Sequence, residues 1–256
     1  MYTINLEGRV ALILGVANKW SIAWHIAKLL DQAGAELVFT YQNERLKRKV
    51  AELVKPLGSA LLACDVTDEG QIEAVFDAIK EEFGRLDILV HSVAFAPRQD
   101  LEGTFLDTSR EGFLTSLEVS AYSLIPLARC GAPLMKEGGS ILAMTYIASE
   151  RVIPGYNVMS SAKAALENVI RQLAYELGPK KIRVNAISAG PLSTLAARGI
   201  RGFTKILHLY PQKAPLRRNI DHQEVAKSAL FLCSDLASGI TGEIIHVDAG
   251  YHIMGV

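Results

Sequence analysis

Short apolar runs alternate along the chain with longer segments in which apolar residues recur every three or four positions. Residues 9–14, 35–41, 59–64, 86–91, 140–146, 182–188 and 243–247 are predicted strands, several rich in Val, Ile and Leu without polar alternation. A strand that is apolar on both sides fits a parallel sheet covered on both faces. The segments between them carry helical spacing. Ile22, Ile26, Leu29 and Leu30 mark one face of the first, and Gly34 stands where a C-cap would end it. Strict alternation of strand and helix with short connections implies an α/β fold, a doubly wound parallel sheet of about seven strands with helices on both faces. No repeat, low-complexity stretch or linker divides the chain, so residues 1–256 read as a single domain. One local conflict stands out. Pro126 falls inside what should be a long helix, removes one N–H bond and clashes with the carbonyl of Tyr122, so the helix is predicted to kink or end there.

Composition narrows the partners. A chain of 256 residues buries a substantial core, and its 27 basic and 27 acidic residues cancel, which gives nucleic acid and anionic membranes no electrostatic purchase. A small molecule or another protein is the expected partner. Cys64, Cys130 and Cys233 are widely separated, with no CxxC and no His/Cys cluster, so no metal site is expected and a reducing compartment is. The first residues show no basic leader followed by an apolar stretch, and no uncharged apolar run has the length of a membrane span. The expectation is a soluble, cytoplasmic protein.

An open sheet of this kind binds ligands outside the carboxyl ends of its strands, so the residues that follow each strand matter most. After the first comes GVANKWSIA, with Gly15 six residues before Ser21 and a helix opening at about Ile22. A strand, a glycine turn and a helix N-terminus suit a pyrophosphate, although this is not GxGxxG, and Gly15 also fits an ordinary βα turn with Ser21 as N-cap. After the second strand, Gln42 offers a neutral amide to ribose hydroxyls and no charge to offset a 2′-phosphate, which favours NADH over NADPH; Arg45 is the residue nearby that would favour the phosphate. After the third, Asp65 and Val66 stand where an adenine would lie, with a strand-ending turn or an N-cap as the alternative for Asp65. After the fourth, Ser92, Val93 and Ala94 are small enough to let a cofactor pass close to the backbone. After the sixth, Ala189, Gly190, Pro191 and Thr194 precede a stretch near residues 190–210 that reads as a substrate lid.

The candidate chemistry lies between the fifth and sixth strands. Tyr156 and Lys163 are seven residues apart, so on one helix they share a face about 10.5 Å apart along the axis. Tyr146, ending the fifth strand, approaches the same pocket. A neutral phenol beside an ammonium is suited to stabilising a developing oxyanion, and the ammonium is expected to lower the phenol pKa.

With LILGVANKWSIA, TYQNERL, VHSVAFAP, TY followed by YNVMSSAKAALE, VNAISAGPLSTLAA, FLCSDLASGITGE and HVDAGYHI all in place, the chain resembles the short-chain dehydrogenase/reductases and, within them, the enoyl-[acyl-carrier-protein] reductases. Position 160, where most of the superfamily has its lysine, is Ser160 here. Lysine follows three residues later, the spacing of the enoyl reductases. The resemblance implies a Rossmann-type domain and NADH-dependent reduction of a trans-2-enoyl thioester carried on acyl carrier protein. It implies Tyr156, Lys163 and Tyr146 as catalytic residues, and Gly15, Ser21, Ile22, Gln42, Asp65, Val66, Ser92, Val93, Ala94, Lys163, Ala189, Pro191, Leu192 and Thr194 along the cofactor. Ala96, Tyr146, Tyr156, Met159, Ala196, Ala197, Ile200 and Phe203 would line the substrate. A homotetramer is expected, in keeping with the apolar C-terminus GYHIMGV, and residues 195–209 are expected to form a lid whose Arg198, Arg201 and Lys205 face an acidic carrier. Ser160 also replaces a glycine common in these reductases and adds a hydroxyl near the cofactor. The competing readings are a short-chain reductase acting on C=O and a cofactor-binding protein without catalysis.

Overall fold

The computed structural model describes residues 4–194, 197 and 202–255. Seven strands, β1 (Val10–Leu14), β2 (Glu36–Tyr41), β3 (Ala60–Ala63), β4 (Ile88–His91), β5 (Gly139–Thr145), β6 (Ile182–Ala189) and β7 (Ile244–Val247), form one sheet in the order β3-β2-β1-β4-β5-β6-β7. Every pairing is parallel, with Leu12 opposite Val38 on one side and Leu89 on the other. The order reverses between β1 and β4, and the crevice above that point is where such a sheet receives a ligand.

The uninterrupted apolar strands are explained by two cores. Ala11 and Ile13 of β1 pack on one face with α1 (Ile22–Gln32), α2 (Glu44–Val54) and α9 (His222–Cys233). Val10, Leu12 and Leu14 pack on the other with α3 (Glu69–Phe83), α6 (Leu124–Gly131) and α7 (Val158–Leu177). All five residues of β1 are buried, so neither parity tolerates a polar side chain. The remaining helices are α4 (Arg98–Glu102), α5 (Arg110–Leu117) and α8 (Phe203–Lys213). Gly34, at φ 97°, follows the C-cap residue Ala33 of α1 and lets Ala35 return its N–H to Leu30 at 3.0 Å.

Pro126 does not end a helix where it stands. It occupies the first turn of α6, and the disturbance sits one turn earlier, in a π-helical turn over Glu118–Tyr122. The N–H of Ser123 reaches past Val119 to the carbonyl of Glu118 (3.0 Å), while the Ser123 hydroxyl takes the Val119 carbonyl at 2.8 Å. That commits the hydroxyl proton, so His91 Nε2, 2.8 Å from the same oxygen, is the donor to it. A proline acts on the turn N-terminal to itself, and here a wider turn absorbs the lost N–H.

Candidate active site

Gly15 turns the chain out of β1 at φ 97°, and a Cβ built on it would lie 2.0 Å from the backbone oxygen of Ser92. The exits of β1 and β4 therefore touch at the switch point, and only a residue without a side chain allows it. Ser21 occupies the N-cap position of α1, but its hydroxyl does not cap the helix. It accepts instead from the N–H groups of Ala17 (3.0 Å) and Asn18 (3.2 Å), pinning the loop from behind. The N–H groups of Trp24 and His25 bond the Ser21 carbonyl, and those of Ile22 and Ala23 are left to an external acceptor, a good fit for a pyrophosphate.

At the next strand ends, Gln42 donates to Asp65 Oδ2 at 3.1 Å, tying the exits of β2 and β3 together. Asp65 Oδ1 accepts from the N–H (3.0 Å) and hydroxyl (2.8 Å) of Thr67, so of its two alternative roles the strand-ending turn is realised, and the N-cap of α3 falls to Asp68. Partial burial pushes the Asp65 carboxyl upward, and the bonds from Thr67 and Gln42 outweigh it, so the group sits below its ordinary value. Val66 is buried beside it, Ser92 and Val93 are half-buried, and Ala94 is exposed. Ala189, Pro191 and Leu192 are buried where β6 ends. Thr194 is half-buried, and its hydroxyl accepts from the N–H of Ala197 at 3.1 Å. Ile22, half-buried, opens α1 as expected.

Tyr156 and Lys163 do not share a helix, contrary to the expectation. Helix α7 begins at Val158, so Tyr156 belongs to the turn that enters it, and only Lys163 is helical. The rings of Tyr146, just beyond β5, and Tyr156 are tilted against each other with centroids 4.9 Å apart. The Lys163 ammonium donates to the carbonyl of Met144 at 2.8 Å, beneath the same strand end. Burial lowers the Lys163 pKa to about 8, against the opposing pull of Glu167. The expected lowering of the phenol is not found: burial, and then the neighbouring Tyr146, hold the Tyr156 hydroxyl above its ordinary value. Tyr156 is a protonated donor at neutral pH, as an ordinary phenol is, and burial reinforces that state. The added hydroxyl of Ser160 turns back to the carbonyl of Asn157 at 2.6 Å and is satisfied within its own helix turn.

Lys163 carries a pH prediction. Its charge is present below about 8 and lost above. Because the folded value is depressed, folding bears the cost of the buried charge at low pH and is relieved of it as pH rises from about 8 toward the unfolded value of 10.5. Dinucleotide affinity should move the other way, weakening as pH rises through about 8 if the ammonium bonds ribose hydroxyls. Calorimetric titration from about pH 7 to about pH 9.5 checks it. An affinity as flat in the wild type as in Lys163→Gln would remove the lysine from cofactor binding.

Beyond the tyrosines lies a small apolar cluster of Ala96, Ala148, Tyr156, Val158, Met159 and Ala162, joined by Leu101, Phe113, Leu117 and Ile153. Of the expected substrate residues it unites Ala96, Tyr146, Tyr156 and Met159. Ala197 is half-buried and Phe203 opens α8, neither of them in this cluster, while Ala196 and Ile200 lie outside the described residues. Part of the expected lid, residues 195–209, does too: Leu195, Arg198 and Arg201 are not described, and the described part is Ala197, Gly202 and the start of α8, with Lys205 exposed in its first turn. Sequence reasoning missed Leu101, Phe113 and Ile153, which carry no motif. It also missed Glu167, a buried carboxylate that accepts from the Thr145 hydroxyl at 2.7 Å. Glu167 had a signal, since it stands one helical turn after Lys163 on the same face.

Among the described residues no group of three or more His, Cys, Asp or Glu side chains is arranged to hold a metal, and no helix is long and apolar enough to cross a membrane. A doubly wound sheet with a glycine turn against its switch point, and a buried tyrosine and lysine beside the crevice, defines a dinucleotide-dependent reductase of the short-chain type. The family model described as "Enoyl-(Acyl carrier protein) reductase" matches residues 15–252, and the chain belongs to that family of oxidoreductases. It is 51% identical to an NADH-dependent enoyl-[acyl-carrier-protein] reductase of Nostoc sp. over 99% of this chain and 100% of that one. It is 49% identical to an NADPH-dependent enzyme of the same name from Staphylococcus aureus, over 97% of this chain and 98% of that one. The Bacillus cereus enoyl-acyl carrier protein reductase, solved with NADP+ and an indole naphthyridinone, superposes with a TM-score of 0.97 at 50% identity, covering 99% and 100% of the two chains. A nicotinamide dinucleotide is therefore the cofactor of the fold.

Proposed function

We propose that the protein reduces the trans-2 double bond of enoyl thioesters carried on acyl carrier protein and uses NADH in preference to NADPH. The observation that carries the reading is the desolvated Tyr156 phenol, tilted against Tyr146 within an apolar cluster, with Lys163 beneath the adjoining strand end. Gly15, the first turn of α1, Gln42, Asp65, Val66, Ser92, Val93, Ala94 and the β6 exit would hold the dinucleotide, and Lys163 its nicotinamide ribose. Bound there, a reduced nicotinamide would supply a hydride to the β-carbon, and a proton taken up at the α-carbon, ultimately from solvent, would complete the saturation. Charge then develops on the thioester oxygen, and Tyr156, kept neutral by burial, donates to it as it forms. Lys163 holds a positive charge close by in a site that excludes water, where it counts for more than at a surface.

Gln42 supports NADH, because its amide is already turned to Asp65 and the pair presents no cation to a 2′-phosphate. The relatives named for each cofactor leave that choice to experiment. With crotonyl thioester, kcat/KM for NADH should exceed that for NADPH by at least about tenfold. Parity would refute the Gln42 reading and point to Arg45, which is exposed one residue into α2. Oxidation of NADH with an acetoacetyl thioester instead would make this a C=O reductase, and turnover of neither, with intact NADH binding, a non-catalytic binder.

A homotetramer is part of this reading. Leu114, Tyr175 and Ile253 are apolar side chains largely open to solvent in the single chain, and a symmetric assembly would cover such positions. Light scattering should return four times the mass of the chain. The exposed Lys205 supports steering of an acidic carrier toward α8, and three free cysteines support a reducing, cytoplasmic setting.

A further inference from the structure

Helix α4 is five residues long and lies beside the apolar cluster, yet it is tied down on two sides. Asp100, 3% exposed, accepts the N–H of Ser109 at 2.6 Å and so latches α4 to the start of α5. On the other side the Asn157 amide donates to the carbonyls of Leu101 (3.3 Å) and Gly103 (3.0 Å). Asn157 is the residue between Tyr156 and α7, and its backbone stands at φ 43°, ψ −129°, a conformation that side chains disfavour. Its own carbonyl accepts the N–H (2.9 Å) and hydroxyl (2.6 Å) of Ser160, which fix the turn from within.

Glycine would make this turn without strain, as Gly155 does at φ 81° two residues earlier. What asparagine adds is an amide that spans from the tyrosine turn to α4. Leu101, whose carbonyl it holds, packs by its side chain on the cluster that contains Tyr156 and Met159. Two segments of one apolar cluster are therefore joined by a single side chain next to the phenol. We propose that Asn157 is a positioning residue that clamps α4 to the Tyr156 turn and thereby sets how strongly the rate depends on acyl-chain length. A long chain pressed against Leu101 holds α4 through its own contacts, and a short one leaves that task to the amide.

The proposal rests on Tyr156 being the donor, so Tyr156→Phe is run in parallel. Asn157→Ala and Asn157→Gly are compared with wild type for NADH affinity, thermal midpoint, and kcat on crotonyl and dodecenoyl thioesters. Both variants should bind NADH within about twofold of wild type. Both should lose about tenfold in kcat on the four-carbon substrate and at least about threefold less on the twelve-carbon one. The glycine variant should melt above the alanine variant, because it relieves the positive φ while losing the same amide. A glycine variant with wild-type kcat and chain-length ratio, beside a crippled Tyr156→Phe, overturns the clamp alone. Equal losses on both substrates accompanied by weakened NADH binding also overturn it, since they indicate general damage. A Tyr156→Phe enzyme at the wild-type rate removes instead the reading on which the clamp stands.

Discussion

Tyr156→Phe is expected to lower kcat by about 10²- to 10³-fold while changing KM and NADH affinity little. The substitution deletes one oxygen from a ring that is 8% exposed and packed among Ala148, Val158, Met159 and Ala162, so the ring and its contact with Tyr146 remain. What disappears is a hydrogen bond to an oxygen that carries little charge in the substrate and much more in the transition state. An interaction that strengthens along the reaction appears in kcat rather than in ground-state binding. Burial raises the cost of losing it, because a bond made in a desolvated site is not readily replaced by one to water. Steady-state kinetics with crotonyl thioester and a separate NADH titration check both halves. A kcat within about threefold of wild type would show that Tyr156 only packs the pocket.

Gly15→Ala carries the largest expected cost in stability. The added Cβ would meet the Ser92 oxygen at 2.0 Å and its carbonyl carbon at 2.6 Å, both backbone atoms that no rotamer change moves, and φ 97° is itself unfavourable for alanine. Relief requires the exits of β1 and β4 to part. Overpacking and backbone strain together amount to about 2–4 kcal/mol, which for a domain of this size shifts the melting midpoint by about 5–15 °C. The same movement displaces the loop pinned by Ser21 from the crevice, so NADH affinity should fall alongside. Gly58 is the control. It too has positive φ, 65°, but a Cβ there meets nothing within 4 Å, so Gly58→Ala should cost less and leave NADH binding alone. If Gly15→Ala melted within about 2 °C of wild type and bound NADH normally, the close approach of the two strand exits would not hold in solution.

The strand pattern was legible because both faces of this sheet are buried. A residue such as Leu12 or Ile13 has core on its side whichever way it points, so the demand for apolar side chains is written without gaps and survives in one dimension. Strand order came from the structure, and the switch point with its Gly15 loop follows from the order. The Tyr/Lys spacing was equally local, and together with the motifs along the chain it carried the resemblance to the enoyl reductases. What the spacing did not contain is where α7 begins. The positive φ of Asn157 puts Tyr156 ahead of the helix, and that conformation is held by α4, more than fifty residues away, through an amide whose partners are backbone carbonyls and leave no trace in the residue pattern. The phenol pKa went the other way from the sequence argument for a related reason. Spacing reveals that a lysine follows the tyrosine, and only the fold reveals that its ammonium turns to the Met144 carbonyl while burial, and then Tyr146, raise the phenol. Pro126 shows the same division: the sequence determined that a helix must yield near it, and the Ser123 hydroxyl and His91, brought together only by the fold, decided that a π turn one step earlier would be the place. Local chemistry determined the elements and the reactive groups of this protein. Long-range contacts decided their aim and charge, because burial and backbone strain depend on neighbours that are distant in sequence.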